Sequence, residues 1–329
     1  MATLGNLWPG AIAVSGGGDS LALMHLAADW ARARKLQSPK ILTVDHGLTK
    51  GSRAHANEVK AQAKSLGLDC IVLSWKGAKP KSDIEAAARE ARYRLMGQWC
   101  ARKKIASLYI AHTQDDQAET FLLRLARGSG LDGLSAMREV APYPVPGFSG
   151  LSLIRPLLDL TRTQLRQFLT ARHIAWHEDP MNADPRFARV RLREIWPVLE
   201  GAGLTSARIA AGARHLARAR EALERQTADL LEAITRREGR HLLIDGAMLA
   251  AAPRELGLRA LAELLKQMGG QTYRPRFEQL ESLFDALSSG QFAARTLHGC
   301  RLGPAPKRFA AFGSRTLALE KEPGRSKPS

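Results

Sequence analysis

The feature that most constrains the fold is a glycine-rich turn near the start of the chain. This turn, residues 15–20, follows the apolar run 11–14 and precedes a run rich in leucine and alanine that begins at Leu21. Glycines let the backbone approach an anion without a Cβ in the way. The free N–H groups and the positive dipole end of a following helix point at the same place. The pattern predicts a strand, a turn and a helix that together bind phosphate through Ser15, Gly16, Gly17, Gly18, Asp19 and Ser20.

Two common phosphate-binding motifs do not match this turn. A Walker A loop needs a lysine where Asp19 stands, and a dinucleotide-binding fingerprint needs a third glycine where Leu21 stands. The string Ser-Gly-Gly-x-Asp-Ser after a strand instead resembles the PP-loop of the N-type ATP pyrophosphatases. Those enzymes split ATP into AMP and pyrophosphate, and the loop holds the pyrophosphate. The alternative is a glycine-rich turn that has no ligand.

The first half of the chain alternates short apolar runs with longer amphipathic runs. This alternation predicts an α/β fold with a doubly wound parallel sheet and helices on both faces. The predicted strands are 11–14, 40–44, 70–73 and 107–111, and the predicted helices are 20–36, 53–66 and 84–101.

The second half has a different pattern, which predicts a separate and smaller unit. Residues 134–154 are rich in proline and glycine and are expected to be a loop, and the helical period returns at 161–173. A long run of alanine and arginine with few breakers predicts one extended helix. The expected organisation is a catalytic domain (1–204), a linker helix (205–238), a small α+β substrate-binding domain (239–321) and a disordered tail (322–329). Within the small domain we expect helices near 253–268 and 275–288 and short strands within 291–320.

The charge and the cysteines limit the class of protein. The 49 Lys and Arg residues against 32 Asp and Glu give a formal net charge of +17, which indicates a polyanionic partner, although a merely basic soluble surface is the alternative. Cys70, Cys100 and Cys300 are odd in number and widely spaced, which excludes a disulfide framework and a zinc motif. With no signal peptide pattern and no apolar run of membrane-spanning length, we expect a cytoplasmic protein.

A second informative segment, residues 111–120, lies at a predicted junction of strand and helix. Asp115 and Asp116 lie four and three residues before Glu119, so the acids can share a helix face near its N-terminus. They could cap the helix. They could instead bind Mg²⁺, which takes hard oxygen ligands, or a cationic substrate.

Polar residues follow three predicted strands at their carboxyl ends. These are Ser15, Asp45 and His112, which can converge because ligands bind in the crevice at that edge of an open α/β sheet. Asp45 could bind metal or accept a proton, or it could form an Asx turn with Gly47. Arg92 lies on one helix face with Glu85, in a pattern that by itself indicates only a salt-bridged surface.

Four arginines fall within eight positions after residue 185. The planar guanidinium donates two hydrogen bonds to phosphate, so this cluster, with Phe187 inside it, favours RNA binding over a solvated basic helix face. The predicted RNA-binding residues are Arg186, Arg189, Arg191 and Arg193.

These motifs, in this order, resemble the bacterial tRNA(Ile)-lysidine synthetase family. The resemblance is close over about the first 200 residues and extends to the rest only in layout. Met181 departs from the small polar residue that the family more often has, and the chain is similar to the shorter members. The matching segments are 15–20, 44–47, 85–89 with Arg92 and Tyr93, 111–130, 155–158 and 178–182.

The resemblance implies a reaction and its substrates. ATP activates C2 of the wobble cytidine of tRNA(Ile) with a CAU anticodon, pyrophosphate leaves, and the ε-amine of free lysine displaces AMP to give lysidine. The resemblance implies ATP and Mg²⁺ as cofactors and is compatible with a homodimer.

The resemblance also implies roles for particular residues. The loop binds pyrophosphate, Asp45 and Asp116 serve as metal ligand or base, and His112 and Arg92 orient the adenylate or the lysine. Asp115 and Glu119 are the next candidates for metal, and the residues leave open which acid has which role.

Three other functions compete with this one. A tRNA thiolation enzyme with the same loop needs cysteine pairs, which this chain lacks. A small-molecule ATP pyrophosphatase ligase does not explain the basic charge. A non-catalytic RNA-binding protein does not explain an intact loop together with the acids at 45, 115 and 116.

Overall fold

A computed structural model of the chain describes residues 7–48, 51–77, 79, 84–178, 186–271, 273–290 and 292–322. The chain forms two compact units, Met1–Ala217 and Arg218–Ser329. None of the helices within the described residues is long and apolar enough to cross a bilayer.

The first unit contains a six-stranded sheet, which confirms the predicted α/β fold. The strands are β1 (Ala11–Ala13), β2 (Lys40–Asp45), β3 (Cys70–Ser74), β4 (Ser107–Tyr109), β5 (Val140–Pro142) and β6 (Ser152–Ile154). Their order across the sheet is β3-β2-β1-β4-β6-β5. All neighbouring pairs are parallel except β5 with β6.

Helices connect these strands and continue to the end of the unit. They are α1 (Gly18–Ala33), α2 (Ser52–Ser65), α3 (Ile84–Arg102), α4 (Gln114–Leu125), α5 (Leu131–Leu134), α6 (Arg162–Ala171), α7 (Ala188–Glu194), α8 (Trp196–Gly201) and α9 (Ser206–Ile234). The boundary between the two units falls within α9.

Two buried cores cover the two faces of this sheet, because successive side chains of a strand point to opposite faces. One core contains the in-register row Ile41, Ile12, Tyr109 and Ile154, packed with residues of α1, α2 and α6. The other core contains the row Ala11, Leu108 and Leu153, packed with residues of α3. This arrangement is the doubly wound packing that the sequence predicts.

Residues 134–154 were expected to be a loop, and this expectation is wrong for β5 and β6. Each strand is only three residues long, and β5 ends in Pro142. Proline is tolerated in an edge strand because its missing N–H faces no partner there. The two strands extend the sheet beyond β4 and place the residues that follow β6 beside those that follow β4.

Among the described residues, the second unit contains a five-stranded antiparallel sheet, the C-terminal part of α9 and three further α-helices. The strand order is β7-β8-β11-β10-β9. The strands are β7 (Thr235–Glu238), β8 (His241–Asp245), β9 (Arg295–Leu297), β10 (Cys300–Pro304) and β11 (Thr316–Lys321), and the helices are α10 (Gly246–Ala251), α11 (Arg254–Gly269) and α12 (Phe277–Ser288). A 3₁₀ helix spans Lys307–Phe312.

The helix predicted for residues 205–238 ends four residues early. Ile234 is the last residue of α9, and the next four residues form β7, which pairs with β8 across a tight turn. Gly239 has a φ of +59° in this turn, as two-residue hairpin turns require. No proline or glycine lies between the end of α9 and the start of β7. The helical sequence pattern therefore continues into residues 235–238, although these residues pair with β8.

We expect Gly257→Ala to destabilise the second unit by about 1–3 kcal/mol. A Cβ at Gly257 in α11 would lie 2.2 Å from Cε2 of Phe284, which is buried in α12. Urea unfolding followed by far-UV circular dichroism measures the change.

Gly212→Ala is the matched control, because its Cβ in α9 would meet nothing within 4 Å. The higher helix propensity of alanine predicts a neutral or slightly stabilising effect there, up to about 1 kcal/mol. All six tryptophans precede residue 218. Their fluorescence therefore reports on the first unit and should not change in Gly257→Ala. A midpoint of the second unit in Gly257→Ala equal to that of the wild type would contradict the expected clash.

Candidate active site

The glycine-rich loop joins β1 to α1, and the hydroxyl oxygens of Ser15 and Ser20 lie 3.3 Å apart. Ser20 Oγ donates to the carbonyl oxygen of Gly17 at 2.8 Å and accepts from the backbone N–H of Ser15 at 3.2 Å. Gly16 has a φ of +92°, a conformation that favours glycine. Gly17 precedes the first residue of α1 with no side-chain cap. The first N–H groups of α1 therefore remain available to an anion, as the loop pattern predicts.

A later segment, residues 174–178, lies against this loop. The backbone N–H of His177 donates to the carbonyl oxygen of Gly16 at 3.0 Å. The imidazoles of His177 and His55 stack with their centroids 3.8 Å apart. Trp176 packs beside Gly18, where a Cβ would lie 3.4 Å from its ring. The segment thus supports the loop on its carbonyl side. Residues 179–182 of the Glu-Asp-Pro-x-Asn motif lie outside the described residues.

Arg162, the first residue of α6, binds the acids of α4. Its Nη1 donates to Glu119 Oε1 at 2.5 Å, and its Nη2 donates to Asp116 Oδ1 at 2.6 Å. Its backbone N–H donates to Asp115 Oδ2 at 2.8 Å. Its Nε lies 3.6 Å from Oδ2 of Asp19 in the glycine-rich loop. One arginine therefore links three acids of α4 to the phosphate loop.

The two innermost acids are ionised ligands of arginine. Glu119 also accepts from Nε of Arg193 at 2.7 Å, and its side chain is 2% exposed. Burial by itself would raise the pKa of Glu119, but the hydrogen bonds from Arg162 and Arg193 hold it below its usual value. Asp116 Oδ2 accepts from the backbone and the hydroxyl of Thr113. Although burial opposes it, the charge of Arg162 likewise keeps the pKa of Asp116 low.

His112 follows β4 and meets Arg155, which follows β6. Arg155 Nε donates to His112 Nδ1 at 3.0 Å. Burial lowers the pKa of His112 to about 4, against the opposing charge of Asp116, so the imidazole is neutral at physiological pH.

Asp45 ends β2 and belongs to a separate group of contacts. Its Oδ1 accepts from the hydroxyl of Ser52 at 2.5 Å and from the backbone N–H of Gly47 at 3.2 Å. The guanidinium of Arg53 lies 3.6 Å from Oδ2. The hydrogen bond from Ser52 lowers the pKa of Asp45, which is therefore a carboxylate at neutral pH. This is the Asx-type turn that the Asp-His-Gly sequence allows.

The predicted RNA-binding arginines do not all lie free on the surface. Arg193 binds Glu119, and the charge of Arg189 acts on His112. Arg191 donates to the backbone carbonyl of Arg186 at 2.9 Å, and both side chains are exposed. The exposed side chain of Arg92 lies on α3.

The structure brings together the glycine-rich loop, Asp115, Asp116, Glu119 and Arg193, and it joins His112 to this group electrostatically. Within the described part of the chain, no three His, Cys, Asp or Glu side chains are grouped as a metal-binding set. Arg162 was not among the site residues predicted from the sequence. Its one signal was the Thr-x-x-Gln capping box that starts at Thr161 and places residue 162 at the helix N-terminus.

Asp19 differs from Asp116 and Glu119 because its pKa is raised, so its surroundings do not fully stabilise the charged carboxylate. Its side chain is 29% exposed, and burial raises its pKa to about 6. Arg162 opposes this rise, while Asp116 and Asp115 add to it. An acid with a raised pKa binds its proton more tightly in the folded state. The protein therefore loses stability as the pH rises from about 4 through 6.

We expect Asp19→Asn to stabilise the ligand-free first unit at pH 7.5 by about 1–3 kcal/mol, and by much less at pH 4.5. The neutral amide avoids placing a charge in this partly buried position. Urea unfolding followed by tryptophan fluorescence at the two pH values measures the difference. Asp159→Asn, at a side chain that is 87% exposed, is the control. A stabilisation of Asp19→Asn that does not depend on pH would contradict the raised pKa.

Comparison with known proteins identifies relatives of this chain. A family model described as the PP-loop domain matches residues 9–199. The tRNA(Ile)-lysidine synthase of Methylobacterium nodulans is 40% identical over 327 residues, which cover 97% of this chain and 93% of that protein. The synthase of Ruegeria pomeroyi is 40% identical over 276 residues, which cover 84% of this chain and 64% of that protein. The chain thus spans just under two thirds of the Ruegeria protein's length.

A solved structure shares the fold. It is the U34-tRNA thiolase NcsA from Methanococcus maripaludis with its [4Fe-4S] cluster, at a TM-score of 0.52 and 16% identity, over 63% of this chain and 72% of that chain. At this identity the likeness concerns the fold alone. The extent of the family match, and the identity to relatives that are covered over most of their length, determine the assignment: the chain belongs to the tRNA(Ile)-lysidine synthase family of PP-loop proteins.

Proposed function

We propose that this protein joins free lysine to C2 of the wobble cytidine of tRNA(Ile) with a CAU anticodon, using ATP and releasing AMP and pyrophosphate. The observation that carries the proposal is the loop at 15–20 with the uncapped start of α1, in a chain that is 40% identical to a synthase over 93% of that synthase's length. The loop is suited to the pyrophosphate portion of ATP.

The acids of α4 support a cationic second substrate. Asp116 and Glu119 are ionised, but they are buried and bound by arginine. Asp19 and Asp115 are partly exposed beside them, so these two present the carboxylates at this edge. An ammonium group that approaches this edge meets carboxylates, and a carboxylate can also accept a proton from the amine before it attacks. Free lysine carries such a group. Asp45, Asp116 and Arg92 keep their predicted catalytic roles as part of this proposal.

The acid of the glycine-rich loop suits a divalent cation. Asp19 lies in electrostatic contact with Asp115 and Asp116, and burial leaves its charge without full compensation. A cation supplies that compensation, and Mg²⁺ takes carboxylate oxygens together with phosphate oxygens. We therefore assign Asp19 and Asp115 to Mg²⁺, which when bound neutralises charge that develops on the ATP phosphates. Asp116 and Glu119 have less support as ligands because Arg162 binds both.

The cysteines do not support tRNA thiolation. The three thiols are free and scattered, and Cys100 and Cys300 are buried. Burial raises the pKa of Cys70 to about 11 and that of Cys100 to about 12, so both remain protonated at neutral pH. A sulfur carrier needs a thiolate. Free thiols also fit the cytoplasm, where we place the reaction.

The test is transfer of radiolabelled lysine to a tRNA(Ile) transcript with a CAU anticodon in the presence of ATP and Mg²⁺. Label that survives mild alkaline deacylation is expected, because lysine on a base is not an ester. A transcript with uridine at the wobble position is the control and should stay unlabelled. Release of AMP without stable label would reject lysine ligation while retaining the adenylating chemistry. Equal labelling of both transcripts would reject cytidine as the target.

A further inference from the structure

The hydrogen bond between Arg155 and His112 determines where the imidazole carries its proton. Arg155 Nε lies 3.0 Å from His112 Nδ1. A guanidinium has donors and no acceptor, so Nδ1 must be the bare, accepting nitrogen. In a neutral ring the proton then sits on Nε2, which faces away from Arg155.

Two further hydrogen bonds hold Arg155 in the position from which it donates to Nδ1 of His112. Its backbone N–H donates to the carbonyl oxygen of Glu139 at 2.8 Å, and its Nη1 donates to the carbonyl oxygen of Arg138 at 2.8 Å. His112 and Arg155 follow β4 and β6, which are parallel neighbours with Tyr109 opposite Ile154. The two side chains therefore leave the sheet at its carboxyl edge, close to the phosphate loop that follows β1.

The surroundings keep the ring neutral. Burial is the largest cause of the lowered pKa of His112. The charges of Arg155, Arg89 and Arg189 add to it, and the charge of Asp116 opposes it. The guanidinium of Arg155 donates hydrogen bonds to His112 and to a backbone carbonyl. Among the described residues, no carboxylate forms an ion pair with it.

We propose that Arg155 is a positioning residue that fixes His112 as a neutral Nε2–H donor, so that His112 gives a hydrogen bond to a substrate oxygen and does not act as the general base. A base would have to accept a proton at Nδ1, which Arg155 occupies. The substrate oxygen is an oxygen of a phosphate group or O2 of the pyrimidine, and both accept hydrogen bonds. This role rests on the proposed function, and it directs the proton lost by lysine to a carboxylate or to water.

The first test measures the tautomer itself in the free, full-length protein. Protein labelled with ¹⁵N-histidine is examined by long-range proton–nitrogen correlation, and the His112 signals are assigned by their loss in His112→Gln. We expect a protonated Nε2 and a bare Nδ1 in the wild type at pH 7.5. In Arg155→Met the two tautomers should exchange, and in Arg155→Lys the wild-type pattern should persist. A proton on Nδ1 in the wild type would overturn the proposal. This result does not depend on whether the protein makes lysidine.

The second test asks whether Arg155 acts through His112. We expect Arg155→Met to lower kcat for lysidine formation by about 10- to 100-fold, the range seen when a partner that orients a functional histidine is removed. The KM for ATP should change less than about 2-fold, and Arg155→Lys should recover most of the rate. In the His112→Gln background, Arg155→Met should add little further loss.

A merely structural role for Arg155 predicts equal losses in both backgrounds, and that outcome would overturn the proposal. If Arg155→Met fails to fold, the tautomer of His112 in the wild type and the rate of Arg155→Lys still test the positioning role of Arg155. Absence of lysidine formation in the wild type would reject the proposed function, while the measured tautomer would still test the role of Arg155.

Discussion

Arg162→Met is expected to lower the free energy of unfolding of the first unit by about 3–5 kcal/mol at pH 7.5. The substitution keeps most of the side-chain volume and removes the cation that binds two buried acids. Asp116 would lose its arginine partner, and Glu119 would retain only Arg193. The side chains of these acids are 9% and 2% exposed, so water cannot replace the lost contacts.

The loss should shrink only as the pH falls below about 4. In the wild type the pKa values of Asp116 and Glu119 are held low by Arg162, against the effect of burial. Their contribution is present above the unfolded-state pKa of a carboxyl and disappears as the pH falls through the lower folded value. Urea unfolding followed by tryptophan fluorescence at pH 7.5 and at about pH 3 measures both effects.

Arg214→Met is the matched control. Arg214 also pairs with an aspartate, but Asp159 is 87% exposed and the pair is 3.5 Å apart. Such a surface pair contributes at most about 1 kcal/mol. An Arg162→Met variant that is no less stable than Arg214→Met would contradict the role of Arg162 as the centre of a buried ion-pair network.

Asp116→Asn is expected to lower kcat/KM for lysidine formation by about 10²- to 10⁴-fold while the fold is retained. The asparagine oxygen can still accept from Thr113 and cap α4, so the local structure has its main support. The negative charge that faces both Arg162 and His112 is lost. The measurement is initial-rate transfer of labelled lysine to tRNA, with circular dichroism as the check on folding.

Asp159→Asn serves as the control here as well, because it removes an exposed aspartate in the same unit. Its kcat/KM should stay within a factor of about 2 of the wild type. If Asp116→Asn also stayed within that range, Asp116 would be a helix-capping residue without a part in the reaction. Pyrophosphate release measured separately would show whether the loss lies in adenylation or in the attack by lysine.

The sequence predicts the local units of the fold better than the contacts between them. The turn at 15–20, the strands at 40–44 and 70–73 and the helix at 84–101 follow from periodicity and glycine placement over short distances. The family resemblance predicts the lysidine synthase assignment, which the comparisons confirm. The strand at β5 escapes prediction because it is three residues long and contains a proline.

The sequence predicted which acids form the site, but it did not predict which arginines bind them. The acids at 115, 116 and 119 are visible in the sequence as one helix face. That they bind arginines 43 or more residues away depends on how α6 and α7 pack on α4, and no local pattern encodes this packing. Arg193 was therefore predicted to bind RNA, although its guanidinium is bonded to Glu119. The roles assigned to single acids remain predictions.

The contact between the glycine-rich loop and residues 174–178 has a consequence for sequence variation. A methyl group at Gly18 would just touch the ring of Trp176, and a longer side chain would need that space to be empty. Positions 18 and 176 are almost 160 residues apart in the chain, yet each limits what the other can be. Among natural variants we expect a larger residue at 18 only together with a smaller one at 176, so the two positions should covary.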